Sequence, residues 1–132
     1  MKYPFEKLKS KSDFEKIYKY GRVILSTDKR IKALFIFNDR KHKIEVGLVI
    51  PSKKGNSVWR NRVKRILKES LKLNSALFYE LVEKKNTGIK IVFSPYSLNQ
   101  KNSKKNFLND LNPSVLDVIK KLTGNSLYDI YR

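Results

Sequence analysis

Between Ile31 and Asn38 the chain reads IKALFIFN, and its side chains fall alternately on two faces. Ile31, Ala33, Phe35 and Phe37 share one face; Lys32, Leu34, Ile36 and Asn38 share the other, which is the period of a strand. Ile44 to Ile50 repeats the pattern, with Ile44, Val46, Leu48 and Ile50 on one side. Gly47 in its middle leaves room for close approach to the backbone, and Pro51 ends the run. Arg22 to Ser26 is a weaker strand candidate. Ile89 to Ser94 is a fourth, closed by Pro95. The polar stretches Asn38–Lys43 and Lys84–Gly88 read as turns.

Elsewhere the period is helical. Ser12-Asp13-Phe14-Glu15 has the form of a capping box, with Phe14, Ile17 and Tyr18 at i, i+3 and i+4 and Gly21 as the stop. From about Ser57 to Lys72, the residues Trp59, Val63, Ile66, Leu67 and Ser70 fall within one arc of about 100°. Ala76 to Val82 either continues that helix or forms a short second one. Ser103 to Leu111 is helical, and Pro113 suits the first position of a last helix that carries Val115, Leu116, Ile119 and Leu122. The order is α-β-β-β-α-β-α. This is a single α+β domain with a four-stranded sheet over residues 1–122, followed by a tail, 123–132, without a legible role.

Charge changes the reading of the Ser57–Lys72 helix. Opposite its apolar arc lie Asn61, Lys64, Arg65, Lys68 and Lys72, with Arg60 and Arg62 near the borders. From Lys53 to Lys72 there are eight basic residues and one acid, Glu69. Acid partners at i,i+4 are missing, and Lys64 and Lys68 are like charges one turn apart, a repulsion of about 0.2–0.5 kcal/mol. A phosphate backbone reverses the sign of that cost. Arg matches phosphate with a planar fork, Lys supplies a point charge, and Asn61 offers a hydrogen bond to a sugar or base edge. The preceding loop, Lys53-Lys54-Gly55-Asn56, can add backbone amides and the helix dipole.

The whole chain points the same way. Among 132 residues, 30 are Lys or Arg and 12 are Asp or Glu, a formal charge of +18. The implied partners are nucleic acid, anionic lipid or an acidic protein. Cys is absent, which removes disulfides and thiolate metal sites. No window approaches the ~20 apolar residues of a membrane helix, and the N-terminal stretch has no signal-peptide pattern. The expectation is a cytoplasmic protein with no membrane partner. His42, the one histidine, sits in a charged turn, and the acids are scattered singly. No zinc-ligand spacing or P-loop is present. Neither a catalytic residue, nor a metal ligand, nor a cofactor site is expected in this chain.

The stretch VGLVIPSKKGNSVWRNRVKRILKESL, Val46 to Leu71, resembles the signature of the bacterial ribonuclease P protein subunit: a loop with Lys and Gly-Asn, then Arg-Asn-Arg and further basic residues on a helix. LKSKSDFEKIYKYGR, Leu8 to Arg22, is similar to that family's first helix with its paired aromatics. The similarity runs from Leu8 to Leu111. It implies a sandwich of the ribosomal-protein-S5-domain-2-like type, with a left-handed βαβ crossover through the basic helix, an exception to the usual hand.

The resemblance also implies partners and roles. Lys53, Lys54, Asn56, Arg60, Asn61, Arg62, Lys64, Arg65 and Lys68 meet the catalytic RNA, although Lys54 stands where the family usually has an apolar residue. Phe14 and Tyr18, joined by a sheet aromatic, Phe35 or Phe37, line a cleft for the 5′ leader of precursor tRNA. Stacking on aromatics plus backbone charge suits a single strand of variable sequence. Mg²⁺ belongs to the RNA subunit, with one protein per RNA. A non-catalytic RNA-binding protein of the ribosomal-protein or RNA-chaperone type fits the charge and aromatics equally; the two matching blocks separate the readings.

Overall fold

The computed structural model of the chain describes residues 5–103 and 108–123. Five strands are present: β1 (Glu6–Lys7), β2 (Arg22–Leu25), β3 (Ile31–Asn38), β4 (Ile44–Leu48) and β5 (Gly88–Pro95). Four helices accompany them: α1 (Lys11–Tyr20), α2 (Ser57–Leu73), α3 (Ser75–Lys85) and α4 (Leu108–Thr123). The strands form one sheet in the order β1-β4-β5-β3-β2. β3 pairs antiparallel with β2 and with β5; β4 pairs parallel with β5. Adjacent parallel strands need a crossover, and α2 with α3 supplies it.

The four expected strands are all found, and the sheet gains a fifth. β1 pairs in parallel with β4 through Glu6↔Glu45 and Lys7↔Val46. Two residues carry no readable alternation, so periodicity could not announce this edge strand.

The period of two in β3 divides the molecule. On one face Ile31, Ala33, Phe35, Val46, Ile89, Ile91 and Phe93 are buried beneath α2, α3 and α4. On the other, Leu34 and Val92 are buried with Leu8 and with Ile17 of α1, and Phe14 and Ile36 pack around them. Three helices therefore lie on one face and one helix on the other. Each fully buried Leu, Val, Ile or Phe contributes about 1.5–3 kcal/mol of transfer free energy. The three-helix face holds most of this stabilisation.

Two local expectations change, and one open alternative is settled. The cap of α1 is Ser10, not Ser12: the Ser10 hydroxyl accepts from the Asp13 amide at 3.4 Å. Both serines precede the same aromatic face, and starting at Lys11 adds two residues, about half a turn. The stretch after α2 is a separate helix, α3, because Asn74 breaks the ladder and donates its side-chain amide to the Ser70 carbonyl at 2.8 Å. Pro113 lies inside α4, not at its start. It removes one backbone bond, while Leu111, Val115, Val118, Ile119 and Leu122 are buried along one stripe that carries the helix through. Asn112, beside that proline, accepts from the Ser70 hydroxyl at 2.6 Å and from the Asn74 amide at 2.9 Å, which explains a serine in the dry arc of α2. Of the helix expected over Ser103–Leu111, residues 104–107 lie outside the described residues, as do 124–132 of the tail.

Acids concentrate where α4 meets the β2–β3 turn. Asp28 accepts from the Ser26 hydroxyl at 2.7 Å and the Arg30 amide at 3.0 Å, and also from the Ser114 hydroxyl at 2.6 Å. Asp117 accepts from the Thr27 amide at 2.6 Å, and Arg30 pairs with Asp110 at 2.8 Å. Partial burial pushes the Asp28 carboxyl up, but the Ser114 and Ser26 hydroxyls, the Arg30 amide and the Arg30 charge together leave it below its ordinary value. A depressed carboxyl stabilises the fold fully above the unfolded-chain value of about 4, and that contribution is lost as pH falls through the lower folded value. Asp28→Asn should lower the melting temperature at pH 7 and make its fall between about pH 5 and pH 2 shallower than in the parent chain. Thermal melts followed across that range check this.

Candidate nucleic-acid interface

The packing of α2 fixes where its charges point. Trp59, Val63, Ile66, Leu67, Ser70 and Leu71 are buried. Asn61, Arg62, Lys64 and Arg65 are exposed, and Lys68 is half-buried. The dry and cationic sides expected from the period of 3.6 are therefore opposite sides of one docked helix. Among the described residues no ion pair joins Arg62, Lys64, Arg65 or Lys68 to a carboxylate; the one pair on this helix is Lys72 with Glu69, at 3.9 Å. Val58, 71% exposed, adds an apolar group to the same surface.

The preceding loop is held by its own side chains. Asn56 caps α2, its side-chain oxygen accepting from the Trp59 amide at 2.9 Å. Arg60 turns back to donate Nε to the Gly55 carbonyl at 3.1 Å. Lys54 donates its ammonium to the Tyr96 carbonyl. These three expected RNA contacts thus have structural partners, whereas Lys53 is exposed. Gly55 lies against the Trp59 ring: a Cβ there would stand 2.5 Å from Cε3. Trp59 in turn donates Nε1 to the Ser103 hydroxyl at 3.1 Å, joining this loop to the one after β5.

On the opposite face, α1 leans over the sheet. The Phe14 ring rests on Gly47, where a Cβ would stand 3.0 Å from ring carbons Cε1 and Cζ. Gly47 thus serves the close approach read from the sequence. Tyr18, one turn on, is 51% exposed, and partial burial pushes its phenol above the ordinary value. Asp13 pairs with Lys90 of β5 at 2.7 Å, which pins the first turn of α1 to the sheet.

The sheet aromatics do not join Phe14 and Tyr18. Phe35 is 0% exposed, in the core beneath the three-helix layer. Phe37 shares that face, with its ring 5.4 Å from Phe35 and the Lys85 ammonium 5.6 Å from its centre. To the cluster that Phe14 packs against, β3 contributes buried Leu34 and partly buried Ile36, and by alternation Lys32 lies on the same face. The alternation of β3 already puts Ile36 and Lys32 opposite Phe35. Parity along the strand, not aromatic type, decides which side chains face α1.

Phe14 and the basic helix meet at one place. A concavity of about 180 Å³ is lined by Phe14, Leu8 and Gly47 on one side and by Lys64 and Lys68 on the other, with Lys7 at the edge. Lys7 escapes a reading of the sequence because it enters through β1. So does Tyr96, which is 48% exposed with the Lys32 ammonium 6.0 Å from its ring centre. Its signal is an aromatic directly after the strand-closing Pro95. No group of three or more His, Asp or Glu side chains comes together among the described residues, so the donors present do not assemble a carboxylate metal site. No described helix is long and apolar enough to cross a membrane.

A mixed sheet flanked by a cationic helix face, and by a concavity that Phe14 shares with Lys7, Lys64 and Lys68, defines a polyanion-binding protein. The chain belongs to the ribonuclease P protein family: the family model, "Ribonuclease P", matches residues 4–118. The ribonuclease P protein component of Clostridium kluyveri is 34% identical over 115 residues, covering 87% of this chain and 92% of that protein. The solved ribonuclease P protein of Thermotoga maritima superposes with a TM-score of 0.71 at 22% identity, over 88% of this chain and 96% of that one. That of Staphylococcus aureus superposes at 0.66 and 21% identity, over 91% and 94%. Membership places the chain in tRNA 5′ processing, as the protein subunit of a ribonucleoprotein endoribonuclease whose catalytic subunit is RNA.

Gly55→Ala should force the Trp59 ring or the loop to shift, an overpacking cost of about 1–3 kcal/mol. A lowered midpoint in urea unfolding, together with a changed Trp59 fluorescence maximum, is the expected result.

Proposed function

We propose that the cationic side of α2, with the loop before it, docks on the catalytic RNA, and that the cleft between α1 and the sheet holds the 5′ leader of precursor tRNA. Arg62, Lys64, Arg65 and Lys68 make the principal contacts with the catalytic RNA, with Asn61 beside them and Lys53 at the loop. Lys54, Asn56 and Arg60 contribute mainly by holding the loop in shape. In the cleft, Phe14 and Tyr18 offer ring surface, Ile36 an apolar floor and Lys32 a charge for the strand backbone.

One observation carries this reading. Arg62, Lys64, Arg65 and Lys68 lie on the outward side of α2 with no acid partner among the described residues, while the opposite side is buried. Such a surface is stable against its own repulsion once a polyanion lies on it, and association releases the counterions of that polyanion. The 180 Å³ concavity shared by Phe14, Lys64 and Lys68 supports a continuous path from docking surface to cleft.

The protein then acts by differential binding. Contacts made only by the leader favour precursor over mature tRNA. Neutralised RNA charge lets the RNA subunit hold its Mg²⁺ ions at cellular salt. One protein per RNA and a cytoplasmic location belong to the same reading. Purified protein added to catalytic RNA at low Mg²⁺ should stimulate leader release from precursor tRNA; absence of stimulation rejects the proposal.

Arg62→Ala and Arg65→Ala should each weaken binding to the catalytic RNA and reduce the log–log salt slope by about 0.7 to 0.9 for each phosphate left without its cation. Titrations between low and physiological salt read this directly. Phe14→Ala, checked for retained folding, should reduce the preference for precursor over mature tRNA and spare affinity for the catalytic RNA. Equal loss of both would assign Phe14 to the core alone.

A further inference from the structure

Beside the start of α2 lies a concavity of about 420 Å³ that includes neither the outward side of the helix nor the α1 cleft. Lys53, Lys54 and Gly55 form one wall; Asn99, Gln100 and Lys101 form the other. The walls belong to loops far apart in sequence, yet they are tied together. Gln100 donates its amide to the Lys54 carbonyl at 2.8 Å, and Asn56 donates its amide to Gln100 Oε1 at 2.9 Å. Behind them the Ser103 hydroxyl, which accepts from Trp59, donates to the Asn99 carbonyl at 2.8 Å. The hollow is therefore built before any ligand arrives, and little loop ordering is left to oppose binding.

Its chemistry is one-sided. Three ammonium groups line it and no carboxylate does. The Lys54 ammonium is held by the Tyr96 carbonyl, while Lys53 and Lys101 are exposed and form no ion pair among the described residues. The volume falls within the about 300–1,000 Å³ typical of ligand sites, and suits the sugar and phosphate of one nucleotide. Docking on α2 uses Lys53, but nothing in that docking requires the Asn99–Lys101 wall.

We propose that this concavity is a phosphate subsite that takes one phosphodiester group of a bound RNA strand between Lys53 and Lys101. The inference rests on the reading that RNA lies along α2, and two strands could supply the phosphate: the catalytic RNA or the precursor leader. The shared chemistry is a phosphodiester, and the experiment separates the sources.

The test uses the full chain with Lys101→Gln and with the Lys53→Gln/Lys101→Gln pair. One arm measures affinity for the catalytic RNA across a salt series; the other measures precursor affinity of the assembled ribonucleoprotein against mature tRNA, again across a salt series. Lys120→Gln removes one equal charge from an exposed position on α4 and controls for net charge. The subsite requires the slope in one arm to fall by about 0.7 to 0.9 for Lys101→Gln, with Lys120→Gln unchanged. The arm that responds identifies the strand. Equal slopes for Lys101→Gln and Lys120→Gln in both arms overturn it. If Arg62→Ala still lowers the slope in that case, docking on α2 stands and the subsite alone is rejected. If Arg62→Ala is also silent, docking itself is rejected.

Discussion

Burial of Trp59, Val63, Leu67 and Leu71 against the sheet decides how the rest of the molecule can act. A helix has one rotation at which such a stripe leaves water completely, and that rotation is set by a large apolar area, not by any charge. Lys64 and Arg65 face outward as a by-product. Their mutual repulsion is small beside the burial that opposes it. The surface is thus held in an electrostatically unfavourable arrangement by the core, and remains available to a partner of opposite sign.

Four of the aspartates are placed so as not to spoil this. Asp28, Asp110 and Asp117 serve the junction of α4 with the β2–β3 turn; Asp13 pairs with Lys90 under α1. None of these four pairs with α2. Charge neutralisation inside the protein is used to fasten elements, and Arg62, Lys64, Arg65 and Lys68 of the helix are left without an acid among the described residues. A highly charged chain with few acids can do both only if those acids are local to the joints.

How much of this is legible in the sequence follows from the range of each interaction. The faces of α2 are legible because four apolar positions and the opposing charges follow one helical period. β3 and its turn are legible because alternation and turn residues are local signals. β1 is not, since a two-residue strand exists only through pairing with β4. Asn74 as a break and Ser10 as a cap depend on bonds that compete closely with their neighbours. Phe35 is not placed by pattern alone because Leu34 and Ile36 give the second face of β3 an apolar part as well, so composition cannot say which face α1 covers. The Asn99–Lys101 wall is hidden for a plainer reason: its contact with Asn56 joins residues 44 positions apart.

The bridge between Asp13 and Lys90 makes the two proposed RNA-facing surfaces respond differently to their surroundings. It cancels a cation on the cleft floor, so a strand lying there leans on ring and aliphatic contact more than on attraction between charges. Among the described residues Arg62, Lys64, Arg65 and Lys68 on the outward side of α2 have no such cancellation. Added electrolyte weakens the second kind of contact far more than the first. In the proposed arrangement, rising ionic strength loosens docking at the helix well before it erodes contact in the cleft, and the assembly comes apart at the helix first.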